Sequence, residues 1–442
     1  MRIPAITPKG NPLSNNEVAV PAKRWMFVIP VAAVMYMLAY IDRTNVALIL
    51  PYIGKDLPLS GSAKGLASGI FFVGYMILQL PGAILAARWS ARKTVLLLMI
   101  AWSVAAMACG LVQTEFQLHV ARFVLGIFEG GVWPAVLILL ASWFPQRERA
   151  RANALWMACL PISAILMSPL SGWMLEVMSW RGVFIVQGLP PLIWAVIWWF
   201  AVADRPAHAK WISPAEREYV ETALAREEGA KPKVKQNSYG QALRNRTVLV
   251  LVAVYFCWLT GFYGFSLWLP SVVKTLTHGG SSGLVGWLTA IPYLVAFVSM
   301  VGVALWSDRT GNRRLALAVP LLVAIAALLA GQLFHGSPAQ QMVLLCVVAA
   351  GVYAPYGPFW AIPSTVLRFE VVAVALGLIN ALGNLGGFVG PYLVGWLTDL
   401  TGSSRTGFVV LAGFLAAAVV ITLVGVRATE SLPTAKARAI VK

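Results

Sequence analysis

The chain has 442 residues, of which 59% are hydrophobic and only 12% charged, and its mean hydropathy is +0.76. Soluble domains carry charge on about a quarter of their residues, so a soluble enzyme or binding module is excluded and a membrane protein is indicated. The formal charge of +17 would by itself suit a nucleic-acid partner, and only its distribution along the chain decides otherwise.

Residues 1–24 are polar, rich in Pro and Asn, and lead into an apolar run with no small-residue cleavage site, so they are expected to be a cytoplasmic tail rather than a signal peptide. Apolar runs near the ~20 residues that cross a bilayer follow at 25–50, 62–87, 94–113, 117–143, 151–175 and 183–203. Composition then turns polar over 204–247, a cytoplasmic linker loop. Within it 214–228 has helical spacing suited to the inner membrane surface, and GAKPKVKQ reads as flexible linker. Six more runs lie at 248–273, 283–306, 315–334, 341–367, 371–397 and 407–426, and 428–442 is a second cytoplasmic tail. The expected fold class is all-α integral membrane, with twelve transmembrane helices in two pseudo-symmetric six-helix bundles, 25–203 and 248–427.

With the N-terminus inside, the outer loops hold only Lys55, Lys64, Arg181, Lys274 and Arg405 of the 34 Lys and Arg, and the spans hold Arg43 and Arg122. This positive-inside bias orients the chain in a bacterial-type inner membrane with both termini cytoplasmic. Contact with anionic lipid completes the account of the charge, and no nucleic acid is needed. Cys109, Cys159, Cys257 and Cys346 lie in separate runs, and the four His are scattered at span ends or in loops. No disulfide framework, metal site or cofactor is expected. GGSSG at 279–283 formally fits G-x-S-x-G but follows no strand, so no enzyme is expected.

Four charges fall inside spans: Asp42, Arg43, Arg122 and Glu129, all in the first half. Intramembrane charge costs about 2.5–3.5 kcal/mol on insertion scales and normally faces a bundle interior or a water-filled path. Asp42 and Arg43 point about 100° apart and address different neighbours. Arg122 and Glu129 share a face about 10 Å apart along the axis, able to line one cavity without closing a salt bridge. An Arg offers a permanently charged planar fork for a carboxylate, and a partly desolvated acid can take a proton near neutrality. Arg43 and Arg122 are therefore expected to hold an anion and Asp42 and Glu129 to carry the driving proton, Glu129 mainly, because it lies near mid-span. The competing reading is a buried structural network joining the first and fourth spans, and Arg122, about a turn and a half from its span end, is placed to snorkel toward headgroups.

Mid-span Tyr40, Tyr75, Trp156, Tyr263, Trp360, Asn380 and Asn384 are candidate lining, whereas Trp25, Trp143, Trp198 and Trp199 read as interfacial belt or helix packing. Gly126 and Gly130, and Gly383, Gly387, Gly386 and Gly390, form GxxxG surfaces for close packing. Pro134, Pro161, Pro358, Pro363 and Pro391 interrupt spans, as hinges or as fixed bends.

A repeat links the halves. Ala87-Arg88-Trp89-Ser90-Ala91-Arg92-Lys93 recurs 221 residues later as Asp308-Arg309-Thr310-Gly311-Asn312-Arg313-Arg314. Half-length duplication is how many secondary transporters are built, with substrate near the midplane. WSDRTGNRR resembles the loop signature of the major facilitator superfamily. YIDRTNVALILP, FEGGVWPAVLILLASWFPQRERARANA, WRGVFIVQGLPPL, DRPAHAKWISPAERE, GPFWAIPS and GNLGGFVGPYLVGWLTD resemble its anion:cation symporter family of organic-anion transporters, over nearly the whole chain. The resemblance implies function for all four intramembrane charges, substrate contact by Tyr75, Trp360 and Asn380, and a gating loop of Asp308, Arg309 and Arg88. Ala87 and Ser90 depart from the usual Asp and Gly of the first loop copy. Leu160 stands where sugar-acid members tend to present a polar group, which hints at a less hydroxylated substrate.

The expectation is a proton-coupled symporter, functional as a monomer, that imports a small organic carboxylate such as an aromatic acid or a tartrate-like dicarboxylate. A sugar-acid symporter, a proton-driven exporter and a non-transporting sensor are the alternatives. Coupling to Na⁺ would call for an oxygen-rich intramembrane cluster beyond the two carboxylates.

Overall fold

The computed structural model describes residues 23–54, 56–230, 244–333, 336–367 and 369–426. The expected tails, up to residue 22 and from 427 onward, lie outside the described residues, as does the linker from 231 to 243.

Among the described residues twelve helices are long and apolar enough to cross a membrane: α1 Lys23–Ile53, α2 Gly61–Arg88, α3 Ala91–Ala108, α4 Glu115–Trp143, α5 Gln146–Val177, α6 Trp180–Ala201, α7 Arg246–Leu276, α8 Ser282–Thr310, α9 Arg313–Leu333, α10 Pro338–Pro363, α11 Val374–Thr401 and α12 Arg405–Gly425. The described residues contain no strand. This is an all-α, multi-pass membrane fold, since only structures that satisfy every backbone group internally can lie in lipid. Helix starts follow capping chemistry. Ser60, Ser90, Ser179 and Ser281 each accept a backbone N–H of the first turn, and Thr114 with Gln117 and Ser337 with Gln340 form capping boxes.

Four helices break just ahead of a proline, whereas Pro363 and Pro391, expected to interrupt spans, lie within continuous helix. α2 is interrupted at Leu78, α4 at Gly131, α5 at Ala158 and α10 at Ala354 and Pro355. Each break falls three or four residues before a proline (Pro81, Pro134, Pro161 and Pro358), because that ring removes an N–H and crowds the carbonyl one turn earlier. α11 breaks without proline at Asn384 and Leu385, where the Asn384 amide donates to the Asn380 carbonyl at 2.7 Å and competes with the backbone ladder.

Helix Pro214–Ala230 follows α6. Its Glu216, fully buried, accepts from Arg24 at 2.8 Å, and Arg24 also pairs with Glu148 at the start of α5 at 2.7 Å. This helix is thereby tied to α1 and α5. Trp143 and Trp198 prove to be packing residues rather than belt: both are fully buried and donate their indole N–H to the carbonyls of Ala203 and Arg92.

Candidate functional site

Between the six helices before the linker and the six after it lies a small cavity. α1 presents Tyr36, Tyr40 and Arg43 to it, spaced four and three residues so that they share one helix face. Tyr75 of α2, Trp133 of α4, and Met157 and Leu160 of α5 complete the first half of the lining. Tyr255 and Tyr263 of α7, Tyr356 and Trp360 of α10, and Asn380 and Asn384 of α11 supply the second. The broken backbones at residues 78, 131, 158, 354 and 384 flank these side chains, as expected where irregular backbone is tolerated only beside a cavity. The cavity measures about 20 Å³, the scale of one water, so any larger guest requires the helices to move.

Arg43 is the positive centre. Its guanidinium lies 4.6 Å from the Tyr75 ring centroid, 5.4 Å from Phe71 and 5.7 Å from Tyr40. Its ion pair with Glu129 of α4 is a single long contact of 3.4 Å. Arg43 Nε and Glu129 Oε1 are both buried without a hydrogen-bond partner. The pair is therefore closed in position but unsaturated in bonding.

Asp42 points elsewhere. It is 1% exposed, does not line the cavity, faces the Trp102 indole of α3, and has no hydrogen-bond partner on either carboxyl oxygen. Arg122 departs from the expectation of substrate contact, and from that of snorkelling. It is fully buried, and its guanidinium donates to the carbonyls of Ala67 (3.2 Å), Asp42 (2.8 Å) and Arg43 (3.0 Å). With its donors turned onto α1 and α2 backbone, it clamps the two charged residues of α1 in place and does not reach the cavity.

Tyr75, Trp360 and Asn380 all line the cavity, and Tyr40, Tyr263 and Asn384 join them, whereas Trp156 packs behind against Tyr36 at 4.8 Å. Sequence reasoning passed over Tyr36, Trp133, Met157, Tyr255 and Tyr356, although the 36/40/43 and 356/360 spacings carried the signal. It also passed over Gln79, whose amide oxygen accepts from Asn380 at 3.2 Å and links α2 to α11. Trp133 and Trp360 stand 5.8 Å apart across the two halves, and Phe72 and Tyr263 4.2 Å apart.

Residues 32–284 and 274–441 each match the Major Facilitator Superfamily. The chain belongs to that superfamily. A protein of Agrobacterium vitis named for tartrate transport is 33% identical over 93% of this chain and 92% of its own. The quinolone resistance transporter of Acinetobacter baumannii is 31% identical over 87% of this chain and 90% of its own. Among solved structures, a bacterial homologue of the human lysosomal transporter Spinster superposes with a TM-score of 0.67 at 18% identity, covering 91% of this chain and 97% of that one, which shows the shared fold.

The two superfamily loops are built differently here. In the second copy, Asp308 pairs with Arg313 at 2.9 Å, and both side chains remain partly exposed. In the first, where Ala87 replaces the usual acid, Asp204 from beyond α6 supplies the carboxylate. It accepts from the Ser90 hydroxyl at 2.6 Å and from the Arg92 amide at 2.9 Å. Ser90 in turn caps α3 by accepting from Lys93 N–H at 3.0 Å. Arg88 ends α2, and Arg309 lies in the last turn of α8.

Proposed function

We propose that this transporter imports small organic carboxylates together with protons across a bacterial-type inner membrane, with both termini cytoplasmic. The observation that carries the reading is Arg43: a buried guanidinium on the cavity wall, flanked by aromatic rings and paired with Glu129 through one long contact. A substrate carboxylate has the geometry to take both donors of one guanidinium edge, a stronger arrangement than the single contact it would replace. Protonation of Glu129 removes its claim on Arg43 just as the anion arrives, so proton and substrate bind together. Asp42, with both carboxyl oxygens unpartnered, is a second seat for a proton, since a buried unpaired carboxylate is costly and a proton relieves that cost. The relative named for tartrate transport supports a carboxylate cargo. The aromatic walls favour an acid with a flat body, and Leu160 in the lining offers no partner to a substrate hydroxyl.

A thermal-shift panel tests this. Aromatic acids, tartrate-like dicarboxylates and sugar acids are offered to purified protein beside their uncharged amides, because a ligand selective for the native state raises apparent stability. Acids are expected to raise the melting temperature and amides not, with aromatic acids strongest. Arg43→Lys, which keeps the charge but loses the fork, should abolish the response. Equal shifts with the amides, or an unaltered response in Arg43→Lys, would remove Arg43 from the substrate site. The relative named for quinolone resistance favours a second reading, proton-driven export. In proteoliposomes, export predicts extrusion of substrate into an acidified compartment, and import predicts its withdrawal from one.

A further inference from the structure

At the end of the bundle opposite the Lys/Arg-rich loops, three charged side chains reach from one half of the protein to a helix terminus in the other. Asp399, near the end of α11, receives the first amides of α2. Its Oδ1 accepts from Gly61 N–H at 2.6 Å, and its Oδ2 accepts from Ser62 N–H at 2.7 Å and from the Ser62 hydroxyl. Glu176, near the end of α5, accepts the Gly283 N–H of α8 at 3.0 Å. Lys274, near the end of α7, donates to the Pro51 carbonyl in the last turn of α1 at 2.8 Å, with its ammonium 3.8 Å from the Tyr52 ring centroid.

Each charge has the sign its helix end prefers. Carboxylates sit on the positive N-termini of α2 and α8, and the ammonium sits on the negative C-terminus of α1. The first two contacts are also copies of each other under the internal repeat. α5 and α11 occupy equivalent places in the two halves, as do α2 and α8. A second observation marks the same pairing. A Cβ on Gly61 would lie 2.7 Å from Asp399 Oδ1, and a Cβ on Gly283 would lie 2.7 Å from Glu176 Oε1. Each carboxylate thus sits over a glycine, Gly61 at the first position of α2 and Gly283 at the second of α8, and the equivalence itself is carried by the bonded amides of Ser62 and Gly283, which stand 221 residues apart, the spacing of the repeat.

We propose that Asp399, Glu176 and Lys274 are gate residues, a charge-matched latch that holds this end of the transporter shut and must break for the central cavity to open there. The latch is read from contacts alone and does not depend on which anion is carried. Exposed ion pairs and caps are individually modest, which suits a gate that must reopen in every cycle.

The test places spin labels on the full chain in lipid nanodiscs, at Gln113 before α4 and Thr275 near the end of α7, both exposed at this end, with Cys257 and Cys346 replaced by serine. Distance distributions are compared among the parent, Asp399→Asn, Glu176→Gln, the double variant and Lys274→Met. Gly283→Ala displaces the Glu176 carboxylate without altering charge, since the atoms its Cβ would meet are those of that carboxylate, so it keeps the test decisive should an acidic-site variant fold poorly. Each single change is expected to raise the long-distance population by about fivefold over the parent, and the double variant more. Glu227→Gln, whose carboxylate pairs with Arg149 at the other end, should leave the distribution unchanged. Distributions that stay at the parent's in both the double variant and Gly283→Ala would overturn the latch. A response at Asp399 with none at Glu176 or Gly283 would overturn its paired construction.

Discussion

Arg43 and Arg122 show how one side chain takes opposite roles according to what surrounds it. Arg122 directs three hydrogen bonds to the carbonyls of Ala67, Asp42 and Arg43, whereas Arg43 keeps Nε unpartnered beside the cavity. Arg122→Ala should therefore lower the melting temperature markedly, since each charge-assisted bond lost contributes on the order of 1.5–3 kcal/mol. Affinities across a panel of acids should keep their rank order, because no cavity contact is removed. A reordered panel, measured on folded protein, would place Arg122 in the substrate site after all. The sequence exposed both arginines as intramembrane charges, but it could not separate their roles. Which way a long side chain turns from α4 depends on carbonyls of α1 and α2 that approach only in the folded bundle. The 36/40/43 face, by contrast, is written in the spacing, since helical periodicity needs no tertiary information, yet Tyr36 was passed over because a tyrosine in an apolar run carries no charge to single it out.

At the scale of elements, glycines divide into those that build a half and those that let the halves meet. A Cβ on Gly126 or Gly130 would strike the backbone of Phe71 or Tyr75 in α2, within the first six helices. A Cβ on Gly65 would meet the Pro391 carbonyl of α11, across the halves, at 2.5 Å. Gly130→Ala is thus expected to reduce folded yield and melting temperature, and Gly65→Ala to spare both while raising the accessibility of the Asp399 end to a thiol reagent probing Ala63→Cys, a position buried beside the latch. Comparable loss of yield in the two variants would refute that division. The GxxxG in α4 was legible as a packing surface, and Pro134, Pro161 and Pro358 as breaks, but Pro363 and Pro391 lie in continuous helix. What the sequence hid was that the breaks before Pro81, Pro134, Pro161 and Pro358 each fall within three residues of a side chain that lines the cavity, a coincidence that only the assembled bundle produces.

For the whole molecule, the twelve spans and the polar linker could be read from hydropathy, since lipid forces each span to announce itself by length and composition, and the helix Pro214–Ala230 from its spacing. The latch could not, because Asp399 and Gly61 are remote in sequence and nothing local marks either as the other's partner. The same limit hid the pairing of Arg43 with Glu129, on which the proposed coupling turns. If anion and proton exchange places on that pair, Glu129→Gln imitates the protonated acid permanently. The measurement that bears most directly on the claim is substrate uptake in proteoliposomes containing equal amounts of folded wild type and Glu129→Gln, read both as exchange against internal substrate and as accumulation driven by a pH gradient, acidic outside. The account predicts that Glu129→Gln exchanges substrate yet fails to concentrate it, while the wild type does both. Wild-type accumulation with wild-type pH dependence in Glu129→Gln would contradict the account, and with it the role given to the Arg43–Glu129 pair.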